Sequence, residues 1–566
     1  MQIPAEQNLL QSLRNSGFSI RALCGERGIC GSCKVRILAG EIAINEADAA
    51  YFSATDLAAG WRLACLAQPE SDITLELPAS GEEDFAGVSS FMQDGFTREI
   101  LSVEEMELAK SKDSIAMQIA KQDASGAALD LSLLQAAGQA ALPPGKPFYV
   151  ARYGGKIIRV CDTRKKLYAI GIDIGTTTIG FALVDLQNAG VTGRLSLVNR
   201  QREYGADVVT RIVKANQGEL STLSTMIRTQ LAEGASRLCR EYGVDPQDVV
   251  KVAVAGNTTM LHLLLELNCG LLGSFPFTPV TLDALHIPWS ALFGADFSCD
   301  VDILPGISTY VGADITAGLL SLMMHKSVRP AILLDIGTNG EMALARDGEI
   351  LCTSTAAGPA LEGVNIAWGT GSVPGAISSI QYENGGFTVS TIGGQPPIGI
   401  CGSGVIDGVY QFLRHGVISE TGRFQDGWTA SGSAGAVIAK TVSDEEIYFS
   451  QKDIREVQLA KSAIRSGIEI LLRHAELRCE DIDTLYIAGG FGFHIDFKSG
   501  VGIGLVPAEL ESKIKIAGNS SLGGVVRFLL DPAQEEALGE IIRAASEFSL
   551  SEDDGFQDMF VEYMSF

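Results

Sequence analysis

Positive charge and histidine are both scarce in this chain. Lys and Arg number 43 against 68 Asp and Glu, a formal net charge of −25 over 566 residues. That balance excludes non-specific attraction to nucleic acid or to an anionic membrane surface. The six histidines, His262, His286, His325, His415, His474 and His494, are isolated from one another, and each reads as structural. No uncharged apolar run reaches membrane-spanning length, and Met1–Glu6 has neither the basic region nor the apolar stretch of a secretory signal. An acidic cytoplasmic protein is expected. No G-x-x-x-x-G-K-[ST] occurs, so a P-loop is excluded. A chain of this length is too long for one compact core, and three folded units are expected.

Cysteine is present but unevenly placed, with eleven in all. Cys161, Cys239, Cys269, Cys299, Cys352, Cys401 and Cys479 are scattered singly and read as ordinary buried thiols. The other four fall in the first 65 residues, as Cys24-Gly-Glu-Arg-Gly-Ile-Cys30-Gly-Ser-Cys33 followed by Cys65 after Trp61-Arg62-Leu63-Ala64. With no secretory signal, these read as reduced thiols or metal ligands. Three thiolates on a loop punctuated by Gly25, Gly28 and Gly31 can wrap one side of a small iron–sulfur cluster, because glycine lets backbone amides turn towards sulfur. A distant fourth cysteine completes the shell. A four-cysteine zinc site normally draws on two C-x2–4-C knuckles, and only one such pair is present. The first gap is five residues where plant-type clusters have four, which resembles the ferredoxins of the adrenodoxin kind. Cys24, Cys30, Cys33 and Cys65 are therefore expected to hold a [2Fe-2S] cluster in a β-grasp, ferredoxin-like domain over residues 1–79. Ferredoxins of this kind open with a β-hairpin ahead of the segment resembling Pro4–Leu10, for which the sequence has no room: either the start is misassigned, the chain is shortened, or the sheet lacks an edge strand.

After Leu77-Pro78-Ala79 the small, acidic run Ser80–Gly87 reads as a linker over 80–91. Residues 92–165 are expected to form a small α+β middle domain, with a strand over Asp113–Ala120, a short helix over Leu129–Ala137 and a turn at Pro143-Pro144-Gly145. No chemistry is legible there.

Two segments are near copies. Tyr168-Ala-Ile-Gly-Ile-Asp173-Ile-Gly175-Thr176-Thr177-Thr178, continuing to Asp185, reads as strand, tight turn, strand. Ala331-Ile-Leu-Leu-Asp335-Ile-Gly337-Thr338-Asn339-Gly340-Glu341, continuing to Leu344, repeats the same core in the same apolar frame. An internal duplication is implied. Glycine in the turn lets amides approach phosphate oxygens, threonine and asparagine add donors, and the aspartate can hold Mg²⁺ through water.

The paired hairpins resemble the phosphate-binding elements of the superfamily of actin, sugar kinases and heat-shock ATPases. Leu485–Gly492, an apolar strand ending in paired glycines, is similar to that superfamily's adenosine-contacting motif. Gly399–Asp407 and Thr355–Gly363 are glycine turns ahead of expected helices that can line the cleft. A C-x5-C-x2-C…C ferredoxin joined through a middle domain to a duplicated actin-like (ribonuclease H-like) ATPase over 166–566 resembles one family, the reductive activators of corrinoid-dependent methyltransferases. Arg202–Ile212, Val254–Met260, Tyr310–Gly318 and Gln451–Arg465 are also similar to it. In the last of these, Asp453 reads as N-cap with Glu456 closing a capping-box-like pair, and Ile454, Val457, Ile464, Ile468 and Leu471 form the apolar face of a long surface helix with a solvated Lys461.

The resemblance implies ATP-dependent, one-electron reduction of an inactive Co(II) corrinoid protein to Co(I), with the electron entering at the N-terminal cluster from a low-potential donor. A plant-type cluster sits near about −400 mV, and a more negative acceptor makes transfer uphill by roughly 2.3 kcal/mol per 100 mV, which ATP offsets. It assigns Asp173 and Asp335 to Mg²⁺ and water positioning. Gly175, Thr176, Thr177, Thr178, Gly337, Thr338 and Asn339 fall to the phosphates, and Gly489, Gly490 and Phe491 to adenosine, with Gly402 and Ser403 lining the cleft. Glu341 either orients the attacking water or is a structural acceptor. A homodimer is compatible with this reading. Two other readings are an ATP-dependent activator of a different low-potential metalloenzyme and a redox sensor with an inactive ATPase half.

Overall fold

The two glycine-centred frames around Asp173 and Asp335 fold as matching β-hairpins, and each seeds a six-stranded sheet. The structure is a computed structural model that describes residues 9–15, 33–40, 42–52, 54–69, 73–76, 101–122, 129, 131–139, 142, 145–205, 207–363, 365–383, 385–430, 433–489 and 497–566. Expectations for Cys24, Cys30, the linker 80–91, Pro143-Pro144, Gly490, Phe491 and His494 lie outside the described residues, as does the segment before Leu9.

Numbering strands from the first hairpin, one sheet contains β1 (Tyr168–Ile174), β2 (Thr178–Asp185), β3 (Gly190–Val198), β4 (Val249–Gly256), β5 (Leu285–Pro288) and β6 (Asp300–Ile303), in the order β5-β6-β4-β1-β2-β3. The other contains β7 (Ala331–Ile336), β8 (Gly340–Arg346), β9 (Glu349–Thr355), β10 (Thr484–Ala488), β11 (Ile514–Gly518) and β12 (Ala545–Glu547), in the order β11-β10-β7-β8-β9-β12. In both, three antiparallel strands run from the hairpin on one side, and two strands parallel to the first continue on the other. The local repeat in sequence is therefore a repeat of topology. Near-continuous Val, Ile, Leu and Ala in β1, β4, β7 and β10 fits strands covered on both faces, and these strands are almost wholly buried.

Two helices, Ala313–Ser321 and Ser520–Leu530, pack against each other where the halves meet, and their apolar residues join a single core with both sheets. Small residues make that crossing close. A Cβ on Gly524 would lie 1.8 Å from the Ala317 carbonyl oxygen, so the helices must part to admit any side chain. Gly524→Ala is expected to cost about 3 kcal/mol, the upper end for overpacking. Scanning calorimetry of the full chain checks this, and an unchanged transition would contradict the close packing.

The N-terminal module has a separate core built from Leu9, Leu10, Leu13, Val35, Leu63 and Ala67. Its described sheet has three antiparallel strands, with Lys34–Ala39 between Trp61–Leu63 and Thr74–Glu76. The middle segment contributes another three-stranded sheet, Leu101–Glu107, Pro147–Tyr153 and Lys156–Cys161, with the helices Ile115–Gln122 and Leu131–Gln139. The strand expected over Asp113–Ala120 is thus a helix. Ser114 Oγ accepts from the Met117 amide at the helix start, and Lys121 pairs with Asp113 at 2.7 Å; these local polar contacts outweigh the strand-like composition. Tyr153 anchors this sheet to the ATPase unit, its hydroxyl donating to the Leu529 carbonyl at 2.8 Å.

The long helix Gln451–His474 also differs from expectation. Its N-cap is Ser450, which forms a capping box with Asp453. Asp453 is buried at the third helical position, where it accepts from the Ser450 and Ala367 amides. The helix is a core element and not a surface one, because the C-terminal segment covers its polar side. Lys461 is only 1% exposed. Its ammonium donates to the Ser565 carbonyl and lies 5.2 Å over the Phe566 ring, while Gln458 donates to the Met564 carbonyl at 2.8 Å. Burial, with a smaller contribution from Arg465, pulls the Lys461 amine down to about 8. A lowered amine pKa means the unfolded chain binds more protons, so this penalty is full below pH 8 and is relieved as pH rises towards the ordinary value near 10.5. Lys461→Met is expected to flatten the wild-type gain in thermal stability across that window, which melting curves at several pH values will show.

Candidate nucleotide cleft and cluster site

Cys33 and Cys65 stand together at one end of the N-terminal sheet. Lys34 pairs with Leu63 across the ladder, and the Ala64 amide donates to the Cys33 carbonyl at 3.0 Å. The Leu63 amide is held by buried Asp48 at 2.8 Å. Helix Leu9–Asn15 starts on this loop, with the Leu9 and Leu10 amides donating to the Ala67 and Ala64 carbonyls. Both cysteines are buried, at 1% and 2% exposure, and soft thiolates held in an apolar core suit iron–sulfur ligation. The described half of the ligand set therefore fits a cluster. Among the other cysteines, Cys239, Cys269, Cys352 and Cys401 are buried and Cys161, Cys299 and Cys479 half-buried; burial pushes the Cys239 and Cys269 thiols up to about 11, as for inert thiols.

The first hairpin turn is gripped from behind. Arg211 Nη2 donates to the Thr176 carbonyl at 2.6 Å, Asn199 Nδ2 to the Gly175 carbonyl at 3.0 Å and the Asn199 amide to the Thr177 carbonyl at 2.9 Å. In a trans peptide, N–H and C=O point opposite ways, so the Thr176 and Thr177 amides are turned away from these partners. Arg211 is fully buried, and desolvation lowers its guanidinium to about 10. Thr176 Oγ1 accepts from Asn257 Nδ2 at 3.1 Å, and Asn257 caps the helix Thr258–Leu265.

Carboxylates converge between the two turns, with Glu341 buried and Asp173, Asp314, Asp335 and Glu362 half-buried. Asp173, at the end of β1, accepts from Ser521 Oγ at 2.7 Å and Asn519 Nδ2 at 2.9 Å, both in the second half. Asp335 occupies the equivalent place on β7 and is paired across the ladder with Glu341. Burial, followed by repulsion from Asp314, Asp173 and Glu362, pushes Asp335 up to about 8. Asp314, at the start of the helix Ala313–Ser321, is raised to about 7 by burial and by Asp173. Glu341 is raised by burial and then by Asp314 and Asp335, against a hydrogen bond with Asn339. Glu362 is raised by burial, although it accepts from Thr177 and Thr338. This much negative charge in one half-buried place favours a divalent cation or protonation.

At the second turn the backbone of the next strand comes in close. Gly489 follows β10 with φ +96°, and a Cβ there would lie 2.3 Å from the Ile336 carbonyl and 2.9 Å from Asp335 Oδ1. Only glycine fits at this point. Asp173, Gly175, Thr176, Thr177, Asp335, Gly337, Thr338, Asn339, Glu341 and Gly489 are thus gathered at the meeting of the two hairpins. Thr178 opens β2. Gly402 and Ser403 begin the helix Gly402–Arg414, which packs against the segment Pro359–Glu362. Sequence reasoning assigned no role to Arg211, Asn257, Asp314 or Glu362, although all four lie in segments singled out for the resemblance, and it passed over Asn519 and Ser521. Asn519-Ser520-Ser521 ahead of an apolar run is a helix-start signal that could have drawn attention to them.

Fold and site together define an actin-like nucleotide-binding unit of two duplicated halves, carried on the same chain as an iron–sulfur module. Residues 1–70 match the family described as a 2Fe-2S iron-sulfur cluster binding domain, residues 168–327 the RACo middle region, and residues 329–566 the C-terminal domain of RACo, the ASKHA domain. The chain is 29% identical over 574 aligned residues to the corrinoid activation enzyme RamQ of Eubacterium limosum, covering 96% of this chain and 94% of the relative. It is 24% identical to the [Co(II) methylated amine-specific corrinoid protein] reductase of Methanosarcina barkeri, covering 71% and 77%. A solved structure described as a reductive activator for corrinoid, iron-sulfur protein superimposes with a TM-score of 0.76 at 29% identity, covering 100% of this chain and 96% of that one. The chain belongs to the family of reductive activators of corrinoid proteins. Among the described residues, no helix is long and apolar enough to cross a membrane.

Proposed function

We propose that this chain restores an inactive corrinoid protein by passing one electron to its Co(II) centre, giving Co(I), while ATP is hydrolysed to ADP and phosphate. The observation that carries the reading is the pairing, on one chain, of Cys33 and Cys65 at one sheet end with two facing Asp-Ile-Gly-Thr turns. Cys24, Cys30, Cys33 and Cys65 hold the [2Fe-2S] cluster, which supplies a one-electron carrier of low potential. A donor of lower potential reduces it.

In the cleft, Asp173 and Asp335 hold Mg²⁺ through water. The Gly175–Thr178 and Gly337–Asn339 turns take the phosphates, and Gly489, Gly490 and Phe491 face adenosine, with Gly402 and Ser403 at the far wall. Glu341, raised by burial and then by its acidic neighbours, orients the attacking water. Nucleotide does not touch the electron. It acts by favouring one arrangement of the two halves, and coupling requires that the corrinoid partner bind that arrangement more tightly. The division follows residues 1–79 for the cluster module, 80–91 for the tether, 92–165 for the middle domain and 166–566 for the ATPase, in a cytoplasmic protein that works as a monomer or homodimer.

The test uses anaerobically purified full-length protein, a Co(II) corrinoid protein and a low-potential reductant, with the cobalt spectrum followed with and without MgATP. Co(I) is expected only when ATP is present. ATP hydrolysis without cobalt reduction across several corrinoid partners would move the acceptor to another metalloenzyme.

A further inference from the structure

Glu362 is the one described carboxylate that accepts hydrogen bonds from both phosphate turns. Its Oε2 lies 3.3 Å from Thr177 Oγ1 in the first half and 3.3 Å from Thr338 Oγ1 in the second. The segment that presents it is rooted in the second half. Ala360 and Leu361 are buried in that half's core, and the Gly358 amide donates to the Thr338 carbonyl at 3.0 Å. Gly363, at φ +78°, turns so tightly that a Cβ would meet the Thr370 carbonyl at 2.7 Å. Glu362 therefore moves with the second hairpin, and its bond to Thr177 is the one that crosses between the halves.

A threonine hydroxyl has a single proton to donate. Phosphate oxygens are acceptors only, so Thr177 and Thr338 cannot donate at once to Glu362 and to a bound phosphate. The carboxylate would also face phosphate charge in a buried site, where repulsion is least screened.

Building on the nucleotide reading above, we propose that Glu362 is a positioning residue that latches the two phosphate turns together in the nucleotide-free cleft and gives up both threonines when a nucleoside triphosphate binds. Binding therefore includes a cost for opening the latch. The freed cross-cleft bond is a point at which phosphate contact alters how the halves are joined.

The test is isothermal titration of ATP, with and without Mg²⁺, into full-length wild type, Glu362→Gln and Glu362→Ala. Glu362→Ala is expected to bind ATP about tenfold more tightly, the equivalent of losing one hydrogen bond to a charged group, and Glu362→Gln by less, since its amide oxygen still accepts from the threonines. The gain should be larger without Mg²⁺, because the cation offsets the repulsion that the variants remove. A role confined to folding would not produce that dependence. Hydrogen exchange gives a second readout. Amides of the turn at residues 175–178 should exchange faster in nucleotide-free Glu362→Ala than in wild type, and the two should converge once ATP is bound. Unchanged or weakened ATP affinity in the alanine variant, with normal binding by wild type, overturns the latch alone. Absence of ATP binding by wild type overturns the nucleotide reading and the latch with it.

Discussion

Cys65→Ser is expected to remove the visible iron–sulfur absorption of the purified chain and to cut ATP-dependent cobalt reduction by at least about a hundredfold. Changes in the shell around metal ligands already cost 10–100-fold, and loss of a ligand is more severe. Cys65 is held by the loop that carries it. The Ala64 amide is tied to Cys33, the Leu63 amide to Asp48, and the Leu10 amide to the Ala64 carbonyl. Serine at this position leaves that backbone intact, so the module should still fold while lacking one thiolate. ATP binding should persist, because the cluster module has a core of its own. Cys239→Ser is the matching control. It alters a buried thiol pushed up to about 11 in the ATPase core, and it should change stability without changing the absorption spectrum. Anaerobic absorption and paramagnetic resonance, read beside the cobalt assay, distinguish the two. Full absorption and full electron transfer in Cys65→Ser would remove Cys65 from the ligand set.

The two Asp-Ile-Gly-Thr hairpins were legible because their pattern is local. Asp, Gly and Thr sit within four positions of one another in each copy, and the apolar frame on either side marks the strands. The groups that act on those turns were not legible in the same way. Asn519 and Ser521 reach Asp173 from 346 and 348 residues away, Glu362 reaches Thr177 across 185, and Arg211 reaches the Thr176 carbonyl across 35. No spacing rule connects such positions, since the fold alone makes them neighbours. The helix Gln451–His474 shows a related limit. Periodicity identified its apolar face, but a pattern within one helix carries no information about a segment a hundred residues later that covers the opposite face, so Lys461 read as solvated. Ile115–Gln122 was misread for a simpler reason. Its isoleucines suit either a short strand or a short helix, and the deciding contacts, from Ser114 and Asp113, are polar.

Asp335→Asn is expected to separate stability from activity in opposite directions. Asp335 is half-buried beside Asp314, Asp173 and Glu362, and its burial and each of these carboxylates oppose its ionisation. Removing one carboxylate from this group relieves repulsion that water cannot screen, and the amide nearly preserves side-chain volume. The variant should therefore melt at or slightly above the wild-type temperature when no ligand is present. With MgATP the order should reverse, since a ligand that binds the folded wild type raises its transition by mass action, and the variant lacks a charge with which to hold the cation. ATP hydrolysis should fall by about 10²–10³, the range for losing one preorganised electrostatic group, and cobalt reduction should fall with it while the cluster absorption stays unchanged. Asp173→Asn should differ in its ligand-free stability. Both oxygens of Asp173 accept hydrogen bonds, from Ser521 and Asn519; in the asparagine variant these charge-assisted bonds become neutral ones, and one requires the Ser521 hydroxyl to turn and accept, at a cost of about 1 kcal/mol. The two aspartates occupy matching places in the duplicated halves, yet one joins the halves through hydrogen bonds and the other is crowded by like charge. Equal ligand-free melting of the two variants would mean that the duplication extends to their energetics, contrary to the environments the structure gives them.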